Sequence, residues 1–102
     1  MLIGKFRVPT VTLGNSDRYA PEAQVLSVVT DTNTALLDLR SERYFTLNEV
    51  GTRIWELLGE GTELAVIVEL LTEEYEAPFE VIEADARAVI AALLKARLVR
   101  RI

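Results

Sequence analysis

The side chains able to do chemistry are few and poorly grouped for it. The chain has no histidine and no cysteine, which removes the usual nucleophile–base pairs and the common zinc sites. Its serines, Ser16, Ser27 and Ser41, sit in no recognisable nucleophile turn. Gly59-Glu60-Gly61 lacks the length and the lysine of a phosphate-binding loop, and its acidic neighbours would repel phosphate; it suits a turn between two helices. The carboxylate pairs Glu73 and Glu74, and Glu83 and Asp85, could in principle move a proton or hold a hard cation. Side chains one or two residues apart on a helix do not face each other, so these pairs read as a solvated face. Catalysis, a metal and a cofactor are therefore not expected.

Chemistry of another kind, main-chain recognition, is within reach of two other features. Arg43, Tyr44, Phe45, Thr46 and Leu47 form a short strand-like run in which Phe45 and Leu47 share one face, predicted to be the core side, and Tyr44 and Thr46 the other. An exposed strand edge can accept an extended peptide as an added strand. The second feature lies on the last helical stretch. At about 100° per residue, Ile82, Ala86, Val89, Leu93 and Ala96 gather on one side as the core face, and Val81, Asp85, Ala88 and Ala92 form a neighbouring stripe. Small side chains beside one carboxylate leave room for something to lie along the helix. The plainer alternative is that an alanine-rich face packs on another helix of the same domain.

Three strand-like runs, Val25 to Thr30, Thr34 to Leu39 and Arg43 to Leu47, are separated by short links at Asp31-Thr32-Asn33 and around Ser41-Glu42, and predict an antiparallel meander. Asn48 stands where an N-cap belongs, before a helix carrying Val50, Ile54, Leu57 and Leu58 at helical spacing and stopping at Gly59 or Gly61. Thr62 can cap a second helix from Glu63 to about Tyr75, with Leu64, Ile67, Val68 and Leu71 inward. Pro78 opens a third, to about Ala96. The expected fold is α+β and winged helix-turn-helix-like, a three-stranded antiparallel sheet followed by three helices, over residues 25–102. Residues 1–24, broken by Gly4, Pro9, Gly14 and Pro21, form an N-terminal arm or extra strand with short extended pieces such as Lys5 to Val8 and Val11 to Leu13.

At 102 residues with half of them hydrophobic, the chain suits one domain with a real core. It has no apolar run approaching the roughly 20 residues that span a bilayer and no secretory signal pattern, so a cytoplasmic protein without membrane contact is expected. The net charge is −5, and no lysine or arginine falls between Arg53 and Arg87 while ten carboxylates do. Winged folds often bind DNA, and a DNA-binding regulator is the lesser alternative, but a recognition helix drawn from Glu63 to Tyr75 would bring glutamates to the phosphates, so no nucleic-acid partner is expected. Basic residues collect at Arg40, Arg43 and Arg53 and at Lys95, Arg97, Arg100 and Arg101, where they can complement a helix C-terminus.

The run from Leu37-Asp38-Leu39-Arg40 through Ser41-Glu42-Arg43-Tyr44-Phe45-Thr46-Leu47-Asn48, followed by Gly51, Ile54-Trp55, Leu57-Leu58, Tyr75, Asp85, Leu93 and Leu98-Val99, resembles the PqqD-like family of precursor-recognition elements for ribosomally made, modified peptides. The resemblance spans about Val25 to Val99 and is greater to the stand-alone chains of lasso-peptide biosynthesis than to the chaperone of pyrroloquinoline quinone synthesis. It implies a non-catalytic domain that binds a leader peptide as an added strand on Arg43 to Leu47, opposite Val81, Asp85, Ala88 and Ala92. It further implies hand-over to a separate, transglutaminase-like leader peptidase and to a cyclase. Two departures stand out: Glu42 and Arg97 occupy positions where the family usually has glycine. A left-handed residue at Glu42 would cost on the order of 1 kcal/mol. A third role, self-pairing through the hairpin edge, is the structural alternative.

Overall fold

A computed structural model describes residues 13–102. The expected extended piece at Lys5 to Val8 lies outside these residues, as do Val11 and Thr12 of the second; Leu13 belongs to no strand.

The three expected strands form one antiparallel sheet. They are β2 (Val25–Thr30), β3 (Asn33–Asp38) and β4 (Arg43–Leu47), in the order β2-β3-β4. A two-residue link, Asp31-Thr32, joins the paired residues Thr30 and Asn33, and Asp31 accepts a positive φ of 53° there, a conformation aspartate tolerates better than most residues. At the other hairpin Asp38 pairs with Arg43, and the tip places Glu42 at φ 62°. The left-handed conformation that glycine would have taken freely is thus present, with glutamate bearing its cost.

Three helices follow: α1 (Glu49–Gly59), α2 (Leu64–Tyr75) and α3 (Phe79–Lys95). Asn48 caps α1 as expected, its side-chain oxygen accepting the Gly51 N–H at 2.9 Å. Gly51 is required by close approach, because a Cβ there would meet Leu47 Cβ at 3.1 Å. The first turn of α1 is thereby seated against the end of β4.

The second cap departs from expectation. Glu63, not Thr62, holds the N-cap position of α2, and no side chain caps it. The free N–H groups of Leu64 and Ala65 instead donate to the carbonyls of Asp17 and Asn15, at 3.0 and 2.9 Å. Chain from the N-terminal stretch supplies what a capping side chain usually does. That stretch goes on to form β1 (Tyr19–Pro21), a strand within the segment read as an arm or extra strand; its antiparallel partner β5 (Val99–Arg101), with which it makes a second, two-stranded sheet, is what the local pattern did not announce. Tyr19 is fully buried in the same core as Leu36, Ile54, Leu64 and Ile90.

The third helix buries Ile82, Ala86, Ile90 and Leu93. Ile90 replaces Val89 and Ala96 at the centre of the core face, so the buried direction is rotated by about 40° from the one projected. Val89 and Ala96 are half-buried at its margin. The rotation carries the core away from Val81, Asp85, Ala88 and Ala92, all four of which are exposed. The stripe does not pack on a neighbouring helix.

Candidate functional site

Strand β4 is an edge: β3 covers one side and no strand among the described residues covers the other. In an antiparallel pair alternate residues turn their N–H and C=O groups outward, so the free side of β4 offers main-chain donors and acceptors. Phe45 and Leu47 are half-buried and pack against the core. Tyr44, 70% exposed, shares a cross-strand row with Leu37 and Leu26 on the outward face of the sheet, and Thr46 lies on that face too. Of the five residues predicted on the strand, Tyr44 and Thr46 therefore offer backbone, not side chain, to anything lying on the helix side.

Strand β4 and helix α3 both pack on α1, while the main packing of α3 is on α2, α1 and β5. The two walls thus share a support without closing on each other. At the hairpin-tip end they flank a cleft of about 380 Å³ lined by Asp38, Arg40, Ser41, Arg43, Lys95, Ala96 and Arg97. The stripe Val81, Asp85, Ala88 and Ala92 runs along α3 toward its N-terminus from this point. Of the nine predicted site residues, five belong to β4 and four to the exposed stripe of α3; only Arg43 lines the cleft, whose other residues the sequence reading had not put together.

Within the cleft Asp38 is the one carboxylate, and it is buried. The Arg40 guanidinium grips it through two bonds, Nε to Oδ1 at 2.8 Å and Nη2 to Oδ2 at 3.1 Å, and the Arg40 backbone N–H adds a third at 3.0 Å. These bonds hold the Asp38 carboxyl at about 2, well below its ordinary 3.8. Arg40 also donates to the Arg97 carbonyl, tying the hairpin tip to the end of α3. Arg43 lies over the Phe45 ring at 5.3 Å, which keeps its charge on the helix side of the sheet.

The end of α3 that borders the cleft is a Schellman turn: the Leu98 N–H donates to the Leu93 carbonyl at 2.9 Å and the Arg97 N–H to Leu94 at 3.0 Å. Arg97 takes φ 61° there, so this second departure from glycine also sits at a left-handed position. The sequence signal for the cleft was the paired basic clusters at Arg40/Arg43 and Lys95/Arg97, which the helix dipole had seemed sufficient to explain. Among the described residues, no group of histidine, cysteine or carboxylate side chains is placed to hold a metal ion, and no helix is long and apolar enough to cross a membrane.

Fold and cleft together define a class: a winged-helix-like α+β domain that keeps one sheet edge open beside a helix face of small side chains. The family model described as coenzyme PQQ synthesis protein D (PqqD) matches residues 33–99. The chain belongs to the PqqD family. Two solved structures share its fold. One, described as TbiB1 in complex with the TbiA(beta) leader peptide, is 35% identical with a TM-score of 0.74, covering 78% of this chain and 93% of that one. The other, lasso peptide synthetase B1 complexed with the leader peptide, is 28% identical with a TM-score of 0.74, covering 80% and 96%. No curated protein gives a match.

Proposed function

We propose that this chain binds the leader segment of a ribosomally made precursor peptide, of the lasso type, as a strand added to β4, and presents it without modifying it. The carrying observation is that, among the described residues, no strand covers the free edge of β4, while the small residues of the α3 stripe, Ala88 and Ala92, are exposed. Main-chain groups of Arg43 to Leu47 supply sequence-independent bonds, while the space beside Val81, Asp85, Ala88 and Ala92 accepts alternate side chains. The two solved relatives, both complexed with leader peptides, support the reading. The bound leader passes to a separate, transglutaminase-like peptidase and the core peptide to a cyclase, all in the cytoplasm. The family description equally suits a chaperone for the pyrroloquinoline quinone precursor; the better agreement with the lasso proteins is the reason for preferring the first.

The test is a titration with the leader of the precursor encoded beside this chain. Ala88→Arg or Ala92→Arg puts a long charged side chain on the α3 stripe where the leader would lie, and either substitution weakens binding by about 100-fold or more. Because both positions are exposed, thermal unfolding moves by no more than about 2 °C. Wild-type affinity in both variants would remove α3 from the site. Self-association of the free chain with no leader binding would favour pairing of the hairpin edge with a second copy.

A further inference from the structure

The chain is acidic overall, yet the cleft at the hairpin tip is not. Four cations against one carboxylate leave it at +3. More telling is how the cations are partnered. Arg18, Arg40, Arg53, Arg87, Arg100 and Arg101 each have a carboxylate within 3.6 Å. Among the described residues, Arg43, Lys95 and Arg97 have none, and all three line this one cleft. Among the described residues, a chain with surplus carboxylates has gathered the cations that lack one in a single place.

Self-repulsion makes such a grouping costly, and a recess with protein walls concentrates its field. The C-terminus of α3 offsets only about half a charge, which accounts for Lys95 alone. Asp38 cannot compensate for the rest, since both of its oxygens are taken by Arg40. Guanidinium groups bind carboxylates through paired, charge-assisted bonds, and Arg43 and Arg97 approach the cleft from opposite walls, β4 and the end of α3.

We propose that the hairpin-tip end of the cleft is an anion subsite, and that the leader this chain recognises carries an aspartate or glutamate there. This rests on the peptide-binding reading above and gives the bound strand a polarity. Asp85 lies ten residues back along α3 from Lys95, about 15 Å at the helical rise. An extended peptide covers that distance in about four or five residues. The recognised segment therefore has an acidic residue at the tip end and, about four or five positions away, a basic or hydroxyl-bearing residue opposite Asp85.

The test uses overlapping synthetic peptides tiling the leader of the neighbouring precursor, with each aspartate and glutamate replaced in turn by its amide, against the wild type and a Lys95→Glu/Arg97→Glu chain. The double reversal weakens binding about tenfold or more, and one amide replacement does the same against the wild type but adds almost nothing against the double variant. Should the reversal reduce thermal stability, Lys95→Gln/Arg97→Gln serves instead, with the same coupling expected. Unchanged affinity in these variants, with Ala88→Arg still blocking the leader, overturns the anion subsite and leaves peptide binding standing. If the wild type binds no tile, both readings fall together.

Discussion

The two ends of the molecule treat their unsatisfied groups in opposite ways. Around the β1–β5 pair everything is closed internally. Backbone carbonyls of Asn15 and Asp17 cap α2, Arg87 reaches the Leu13 carbonyl at 2.7 Å, and Arg100 and Arg101 pair with Glu22 and Asp17, each at 3.3 Å. Along β4 and α3 the reverse holds among the described residues: a strand edge without a neighbouring strand, a stripe of exposed small residues, and three cations without a carboxylate. Both ends are built from the same kinds of residue. Local chemistry is therefore not what separates them; the difference is whether the chain returns to meet its own groups, and where it does not, a partner's groups fit.

The contrast is broken most severely by substituting one tyrosine at each end. Tyr19 is fully buried, its hydroxyl donating to Asp17 at 3.1 Å, and the Arg101 guanidinium lies 5.8 Å from its ring. Tyr19→Ala is expected to cost about 3–5 kcal/mol, a large part of the typical stability of a small domain. Tyr44→Ala, on a side chain 70% exposed, should change stability by less than about 0.5 kcal/mol. Urea denaturation followed by Trp55 fluorescence measures both. Comparable losses at the two positions would mean that the N-terminal stretch is not part of the folding unit, or that the outward face of the sheet is covered.

How much of this was legible depended on whether the signal was local. The bounds of β2 and β4 and the Asn48 cap follow from periodicity and from single residues whose chemistry is positional; the α3 stripe could be projected, but whether it was open or packed on a helix could not. The pairing of β1 with β5 does not: each is three residues long, too short for a period, and they meet only in the folded chain. The α2 cap was misplaced on Thr62 for the same reason, since its acceptors lie far back, at Asn15 and Asp17. Ile90 was missed because a margin of small residues drew the projected core face toward the open side. The cleft needed Arg43 from a strand and Arg97 from a helix end to be placed together, which spacing along the chain cannot do.

A smaller effect, about 1 kcal/mol, separates two copies of one backbone motif. Gly61 after α1 and Arg97 after α3 close the same Schellman turn, at φ 78° and 61°. A Cβ at Gly61 would meet nothing within 4 Å, so Gly61→Ala should destabilise by about 1 kcal/mol through backbone strain alone. Arg97→Gly should stabilise by a similar amount. The same substitution removes a cation from the cleft, so a gain in thermal stability should accompany weaker leader binding. Were Arg97→Gly to improve both, the side chain would have no role that offsets its strained backbone.

The last expectation concerns acid. Asp38 is held at about 2 in the folded chain against 3.8 ordinarily. Its contribution to stability is therefore complete above about 3.8 and disappears as the pH falls through about 2. Asp38→Asn should flatten that part of a urea-midpoint profile without changing the profile above pH 5. The depressed value also bears on recognition. Between pH 7 and 3 Asp38 stays ionised in the folded chain, so its pair with Arg40 in the wall of the tip cleft persists. An ordinary peptide carboxylate protonates near 4. A fall in leader affinity with a midpoint near 4, present in the wild type and reduced in Lys95→Gln/Arg97→Gln, would place the titrating group on the peptide. A profile unaltered by that double substitution would place it away from the tip cleft, and the polarity assigned to the cleft would be lost.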